Sequence, residues 1–261
     1  MRIAINTVTI KPASLEEKVR AAEEAGFEGI GLWRQEVEEA GPERVKSLLR
    51  RAGLLPVEIC ATPLSWTFAE DEGPFEESKK VFELAERVGC KLVVAPADLR
   101  EGPIERAAEN YAKLCELAEE FGVTPALEFL GGAKAIRDLA SARKVVEGAG
   151  RPNGKILVDT FHFHKGGSSL ADLRALPGEM IGLVHVNDVP SLPHHLLEDR
   201  HRVMPGEGSL DLPGFLSALA SIGYEGFLSL ELFNEDYWRE DPMEVAARGA
   251  KALLSLLREL R

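Results

Sequence analysis

Histidine is missing from the first 161 residues of this 261-residue chain. All six, His162, His164, His185, His194, His195 and His201, fall within one 40-residue window. A site that gathers several imidazoles from early in the chain is therefore excluded. Cysteine is scarce as well: Cys60, Cys90 and Cys115 are odd in number and 30 and 25 residues apart. That spacing makes neither a disulfide framework nor a zinc ribbon, and it suits buried thiols in a reducing compartment. Positive charge is short, with 31 Lys and Arg against 43 Asp and Glu and a formal net charge of −12. Nucleic acid would require a basic footprint that such a balance does not supply. The longest stretch free of charge, Leu212–Tyr224, has 13 residues and contains Pro213 and Gly214. It is too short and too broken to span a bilayer. Met1-Arg2 runs directly into IAINTVTI, with no apolar h-region or small-residue cleavage site, so a cytoplasmic protein is expected. What remains, 45% hydrophobic and 28% charged, is an ordinary globular composition with enough chain for a sizeable core.

Apolar runs of β type alternate with helix-type segments from end to end. The strands expected are Ile3–Thr7, Phe27–Trp33, Leu54–Cys60, Lys91–Pro96, Val123–Phe129, Lys155–Thr160, Ile181–Asn187 and Gly226–Glu231. Ser14-Leu-Glu-Glu17 reads as a capping box, with Leu15, Val19, Ala22 and Ala25 recurring on one helical face. Pro74, Pro103, Pro213 and Pro242 sit where a first helical turn tolerates the missing N–H. Gly26, Gly53, Gly89, Gly122, Gly150, Gly178 and Gly223 fall at expected helix ends, 27 to 45 residues apart. Seven such ends plus Pro242–Leu260 make eight βα units, which imply a single (β/α)8 TIM barrel over residues 1–261. An open doubly wound sheet would be expected to carry a Gly-rich turn after the first strand, where this chain reads TVTIKPAS.

A barrel of this kind places its active site at the C-terminal strand ends. Period-two alternation then puts Glu128, Asp159, His185 and Glu231 on the inward faces of four consecutive strands. Three carboxylates facing one another would repel and lose hydration, and none has a cation on its own strand face near the mouth. One divalent metal ion removes that conflict; three oxygens and an imidazole suit Mn2+, Co2+, Zn2+ or Mg2+. The alternative is that each acid is paired with Arg or Lys from a loop.

The segments ALEF, VDTFHFH, HVND, RVMPGEGSLDL and SLELFNEDYW, in this order and spacing, resemble the xylose-isomerase-like sugar isomerase and epimerase barrels. Within them the chain is most similar to the 2-keto-myo-inositol (inosose) isomerases. The similarity is densest from Thr124 to Asp241. It implies one ion, Mn2+ being favoured, held by Glu128, Asp159, His185 and Glu231, with His162 and Arg202 contacting the oxygens of a polyol or sugar. It also implies cis-enediolate chemistry, in which the ion acts as Lewis acid and Glu128 and Glu231 form the acid/base pair. Carbonyl and neighbouring hydroxyl then exchange places.

Other residues carry weaker signals. Asp188 follows the ligand strand and can orient His162, His185 or Arg202, or stand exposed in a turn. Trp33 and Arg34 end the second strand, where an indole can stack on a ring and a guanidinium can bind hydroxyls; core packing and a surface charge are their alternatives. Trp66, Tyr237 and Trp238 can wall the site or simply pack. Cys60 reads as a small core residue. The connection Asp188–Gly208, 21 residues long, exceeds the usual βα loop and suggests a lid or binding role.

Three other functions compete with an isomerase. An inosose- or dehydroshikimate-type dehydratase shares the ligands and the first deprotonation. A zinc-dependent abasic-site endonuclease shares the barrel but needs histidines before residue 162 and a basic groove. A polyol-binding barrel without catalysis has no use for four convergent ligands. Phosphorylated substrates are disfavoured because the loop after the last strand reads FNEDYWRED. Neither membrane nor nucleic-acid partners are expected, and a homodimer is compatible with the sequence.

Overall fold

The computed structural model describes residues 1–260. Eight parallel strands pair in chain order and close on themselves: β1 (Arg2–Asn6), β2 (Gly29–Trp33), β3 (Leu55–Cys60), β4 (Leu92–Pro96), β5 (Thr124–Glu128), β6 (Lys155–Asp159), β7 (Ile181–Val186) and β8 (Phe227–Leu230). The closure joins β8 to β1 through pairs such as Ala4–Ser229. Every strand expected from the sequence is present, within two residues at each end.

Helices α1 (Leu15–Ala25), α2 (Arg34–Ala40), α3 (Pro42–Ala52), α4 (Gly73–Val88), α5 (Ile104–Glu119), α6 (Leu139–Ala149), α7 (Thr160–Gly166), α8 (Leu170–Arg174), α9 (Leu212–Ser221) and α10 (Pro242–Glu259) connect the strands. The connections after β2 and β6 hold two helices each rather than one, because α2 and α7 start directly at the strand ends. The expected capping box of α1 forms: Ser14 Oγ accepts from the Glu17 N–H while Glu17 Oε2 accepts from the Ser14 N–H at 2.9 Å. Two punctuation marks act differently from expectation. Pro103 is the residue before α5 rather than part of its first turn. Gly178 is not a left-handed helix end, since α8 already stops at Arg174. It is needed for close approach, as a Cβ there would lie 2.3 Å from the Ile222 carbonyl oxygen.

The alternation of the strands separates two cores. Leu127, Ile156, Val158, Val184, Leu228 and Leu230 face outward into the large apolar layer shared with the helices. Cys60, Leu92, Val94, Ala126, Leu157 and Leu183 fill the barrel interior, and burying each leucine there contributes roughly 1.5–3 kcal/mol. Ala126, Leu157 and Leu183 each stand two residues before a polar residue on the same face, so the apolar plug is the floor beneath Glu128, Asp159 and His185. No helix among the described residues is long and apolar enough to cross a membrane.

Candidate metal centre

Glu128 ends β5, Asp159 ends β6, His185 lies on β7 and Glu231 follows β8. The register explains their convergence: Asp159 pairs with His185, His185 pairs with Ser229, and Glu231 is one step further on the same face. Each offers a ligand atom within 4.8 Å of the others, and all four are buried. His185 Nδ1 stands 3.1 Å from Glu231 Oε2, 3.7 Å from Asp159 Oδ2 and 3.9 Å from Glu128 Oε1. Buried though it is, that nitrogen has no hydrogen-bond partner. A polar atom stranded among three carboxylates is costly on its own and is the donor arrangement a divalent cation completes. The residues fit the ion.

The other imidazole nitrogen is already committed. His185 Nε2 donates to Glu58 Oε2 at 2.6 Å across the barrel from β3. Glu58 is fully buried, and its Oε1 accepts from Asn6 Nδ2 at 3.1 Å and Ser229 Oγ at 3.0 Å. The sequence reading missed Glu58. Its signal was a lone charge inside the apolar strand LPVEIC, on the same face as Cys60.

One buried arginine meets two of the four buried carboxylates. Arg202 Nη1 donates to Asp159 Oδ2 at 2.6 Å and to Glu231 Oε2 at 2.8 Å, while Nη2 donates to Asp199 Oδ1 at 2.9 Å. Its guanidinium lies between the rings of Phe161 and Phe233, 4.8 and 5.0 Å from their centroids. A loop cation thus does pair with two of the acids, which the strand-face argument alone could not see. It leaves the cluster negative, since Glu58 and Glu128 have no cation beyond His185. Burial raises the Asp159 carboxyl, but Arg202, His162 and His185 outweigh it and hold the group at about 2. Glu128 goes the other way: burial, then the charges of Glu231 and Asp159, push it well above the carboxylate range despite His185. Burial opposes the charged form of His185, yet Glu231 and Glu58 raise its proton affinity well above the ordinary histidine value.

A cavity of about 590 Å³ opens above this cluster, with Trp33, Arg34, Glu128, His162, Arg202 and Glu231 on its wall. Asp159 caps α7 by accepting from the His162 N–H at 3.1 Å, which fixes His162 at the rim on a helix rather than in a loop. His162 Nδ1 accepts from the Gly131 N–H at 3.2 Å, while its Nε2 faces Arg202 Nη2 at 3.4 Å. Burial depresses its pKa to about 4 despite Asp159, which keeps the ring neutral. Trp33 Nε1 donates to Asn6 Oδ1 at 2.9 Å and its ring meets Phe233 edge-on. Arg34 reaches the cavity wall, with Glu38 at 3.5 Å and Glu77 at 3.9 Å.

Asp188 requires correction. It is buried, but its carboxylate touches neither His162, His185 nor Arg202 and does not line the cavity. It accepts from the backbone N–H groups of Val189, Gly206, Gly208 and Leu210 at 2.8 to 3.1 Å. Its work is to pin the long connection after β7, which also bridges back through Asp188 and Val203. Trp66, Tyr237 and Trp238 pack: their polar atoms bond to the Pro96 carbonyl, the Met204 N–H and the Val8 carbonyl. Cys60 is buried as expected. His164 and His194 lie against each other, away from the acids. Lys165 and Asp199 also line the cavity.

The chain matches the xylose isomerase-like TIM barrel family over residues 19–259. It is 34% identical over 189 residues to the inosose isomerase of Bacillus velezensis, covering 69% of this chain and 68% of that protein. A 3-dehydroshikimate dehydratase of Pseudomonas putida is 27% identical over all of this chain, which spans 42% of that relative's length. Among solved structures, the IOLI protein with a bound zinc atom superposes with a TM-score of 0.93 at 25% identity, covering 100% of this chain and 99% of that one. With its barrel closed and its ligands convergent, the chain belongs to the xylose isomerase-like TIM barrel family.

Proposed function

We propose that this protein is a divalent-metal-dependent isomerase or epimerase acting on a neutral keto-polyol of the inosose type. The observation that carries the reading is the unpartnered His185 Nδ1, set among Glu128, Asp159 and Glu231 beneath a cavity that His162 and Arg202 help to line. Likeness to inosose isomerases supports the substrate class. Three carboxylates and one imidazole favour Mn2+, with Zn2+, Co2+ and Mg2+ also suited. The three buried, unpaired cysteines agree with a cytoplasmic setting.

Bound there, a divalent ion would polarise a ketone and its neighbouring hydroxyl and acidify the C–H between them. The protein's own groups do the rest. Glu128 and Glu231 enter from β5 and from the end of β8, one to take the proton and the other to return one to the adjacent carbon. Glu128 is the less encumbered of the two, since Glu231 is held by Arg202. His162, neutral and beside Arg202 on the cavity wall, orients a substrate oxygen. Arg202 balances charge as the carbonyl and hydroxyl exchange. Trp33 offers a ring face, and Arg34 a donor, at the cavity wall.

A dehydratase is the second reading, because the dehydroshikimate dehydratase relative aligns over the entire chain. Metal-loaded protein incubated with inososes, ketohexoses, their phosphates and 3-dehydroshikimate, with products read by NMR, tests both. Isomerised neutral ketone is the expected product. Dehydrated product alone, or turnover only of phosphates, overturns the proposal.

A further inference from the structure

We infer that Glu58, together with the glycine at position 31, forms a built positioning device for the metal-ligating His185. The inference rests on the metal reading above. Glu58 reaches from β3 across the interior to His185 Nε2, and every neighbour of its carboxylate is a donor: His185, Asn6, Ser229 and the Cys60 thiol. That carboxylate is therefore fully occupied without touching the cavity. Its contact with Nε2 leaves the Nδ1 lone pair directed at the three other ligands. A carboxylate behind a ligating histidine fixes the ring's tautomer and angle and strengthens it as a donor.

Gly31 on β2 makes the room. A Cβ at that position would lie 2.1 Å from Glu58 Oε1 and 2.8 Å from its Cγ and Cδ. The Gly31 backbone has no positive φ that would demand glycine, so the missing side chain serves the Glu58 carboxylate. Asn6 extends the device outward: its Nδ2 holds Glu58 while its Oδ1 accepts from the Trp33 indole at the cavity wall. The metal-ligating histidine and a cavity-wall aromatic are thereby set by one buried chain of hydrogen bonds.

The test is Zn2+ affinity of the full-length, metal-stripped protein, measured by competition with a chromogenic chelator. Glu58→Ala, Glu58→Gln and Gly31→Ala are compared with wild type, and melting of each metal-free variant reports folding separately. Glu58→Ala should weaken Zn2+ binding roughly 10–100-fold, and Glu58→Gln, which keeps volume and an acceptor oxygen, should weaken it less. Gly31→Ala retains the carboxylate but displaces it, so it should also lose affinity. If Glu58→Ala does not fold, Gly31→Ala and Glu58→Gln carry the test. In Zn2+-loaded wild type, long-range ¹H–¹⁵N correlations should show His185 protonated at Nε2 alone, and this pattern should blur in the variants. Wild-type affinity and an unchanged histidine pattern in folded variants would overturn the inference and leave the metal site standing. Failure of the wild type to bind Zn2+ would overturn the metal reading itself.

Discussion

Arg202 Nη1 lies 2.6 Å from Asp159 Oδ2, with both side chains buried. This pair decides how the site survives without its ion. It neutralises one carboxylate fully and shares a second, Glu231, while the rest of the negative charge awaits a cation. Removing one partner from a buried pair of this kind costs about 3–5 kcal/mol, because the other charge is left uncompensated. Arg202→Met should therefore lower the melting temperature of the metal-free protein sharply. Saturating Zn2+ should restore more stability to this variant than it adds to wild type. Equal metal-induced shifts in both proteins would contradict the charge balance described.

Glu231→Gln keeps the shape and the Arg202 contact through its carbonyl oxygen but removes the base. Turnover should fall by roughly 10²–10⁴-fold, with the far-ultraviolet circular dichroism unchanged. A wild-type rate in steady-state assays would remove Glu231 from the acid/base pair.

Metal binding should release protons. Glu128 and His185 both hold protons to higher pH than usual in the metal-free protein, and a cation must displace them to bind. Affinity should therefore rise with pH through the neutral range. Titration calorimetry in two buffers of different ionisation enthalpy should show at least one proton released per Zn2+. Identical heats in both buffers would refute this.

Asp188→Ala should loosen the long connection rather than the chemistry. Four backbone N–H groups lose their acceptor, at about 1–3 kcal/mol for each that stays buried. Hydrogen exchange at Gly206, Gly208 and Leu210 should quicken, with KM affected more than kcat. Unchanged exchange there would contradict the assignment.

The difference between Asp188 and Glu58 shows what a sequence reveals and what it hides. Strand ends, and the inward faces bearing Glu128, Asp159, His185 and Glu231, follow from local rules: glycine punctuation and period-two alternation. The resemblance carried by VDTFHFH and RVMPGEG pointed to His162 and Arg202. Asp188 was read from its neighbourhood in the chain, yet its partners lie up to 22 residues onward in a connection with no periodicity. Glu58 meets His185 at a sequence separation of 127, a contact that only barrel closure creates. Gly31 looked like any strand glycine until the carboxylate beside it was seen. Arg202 escaped placement for the same reason, since a long connection can carry its cation anywhere over the mouth.

The central claim is that the protein's own glutamates move a proton between adjacent substrate carbons. The most direct measurement is ¹H NMR of inosose turnover in D₂O by metal-reconstituted protein, beside chelated protein and Glu231→Gln. The account predicts isomerised product carrying solvent deuterium at the carbon that receives the proton, with none formed by chelated protein and formation by Glu231→Gln slowed roughly 10²–10⁴-fold. Isomerised product free of deuterium, or equal exchange by chelated protein, would contradict it.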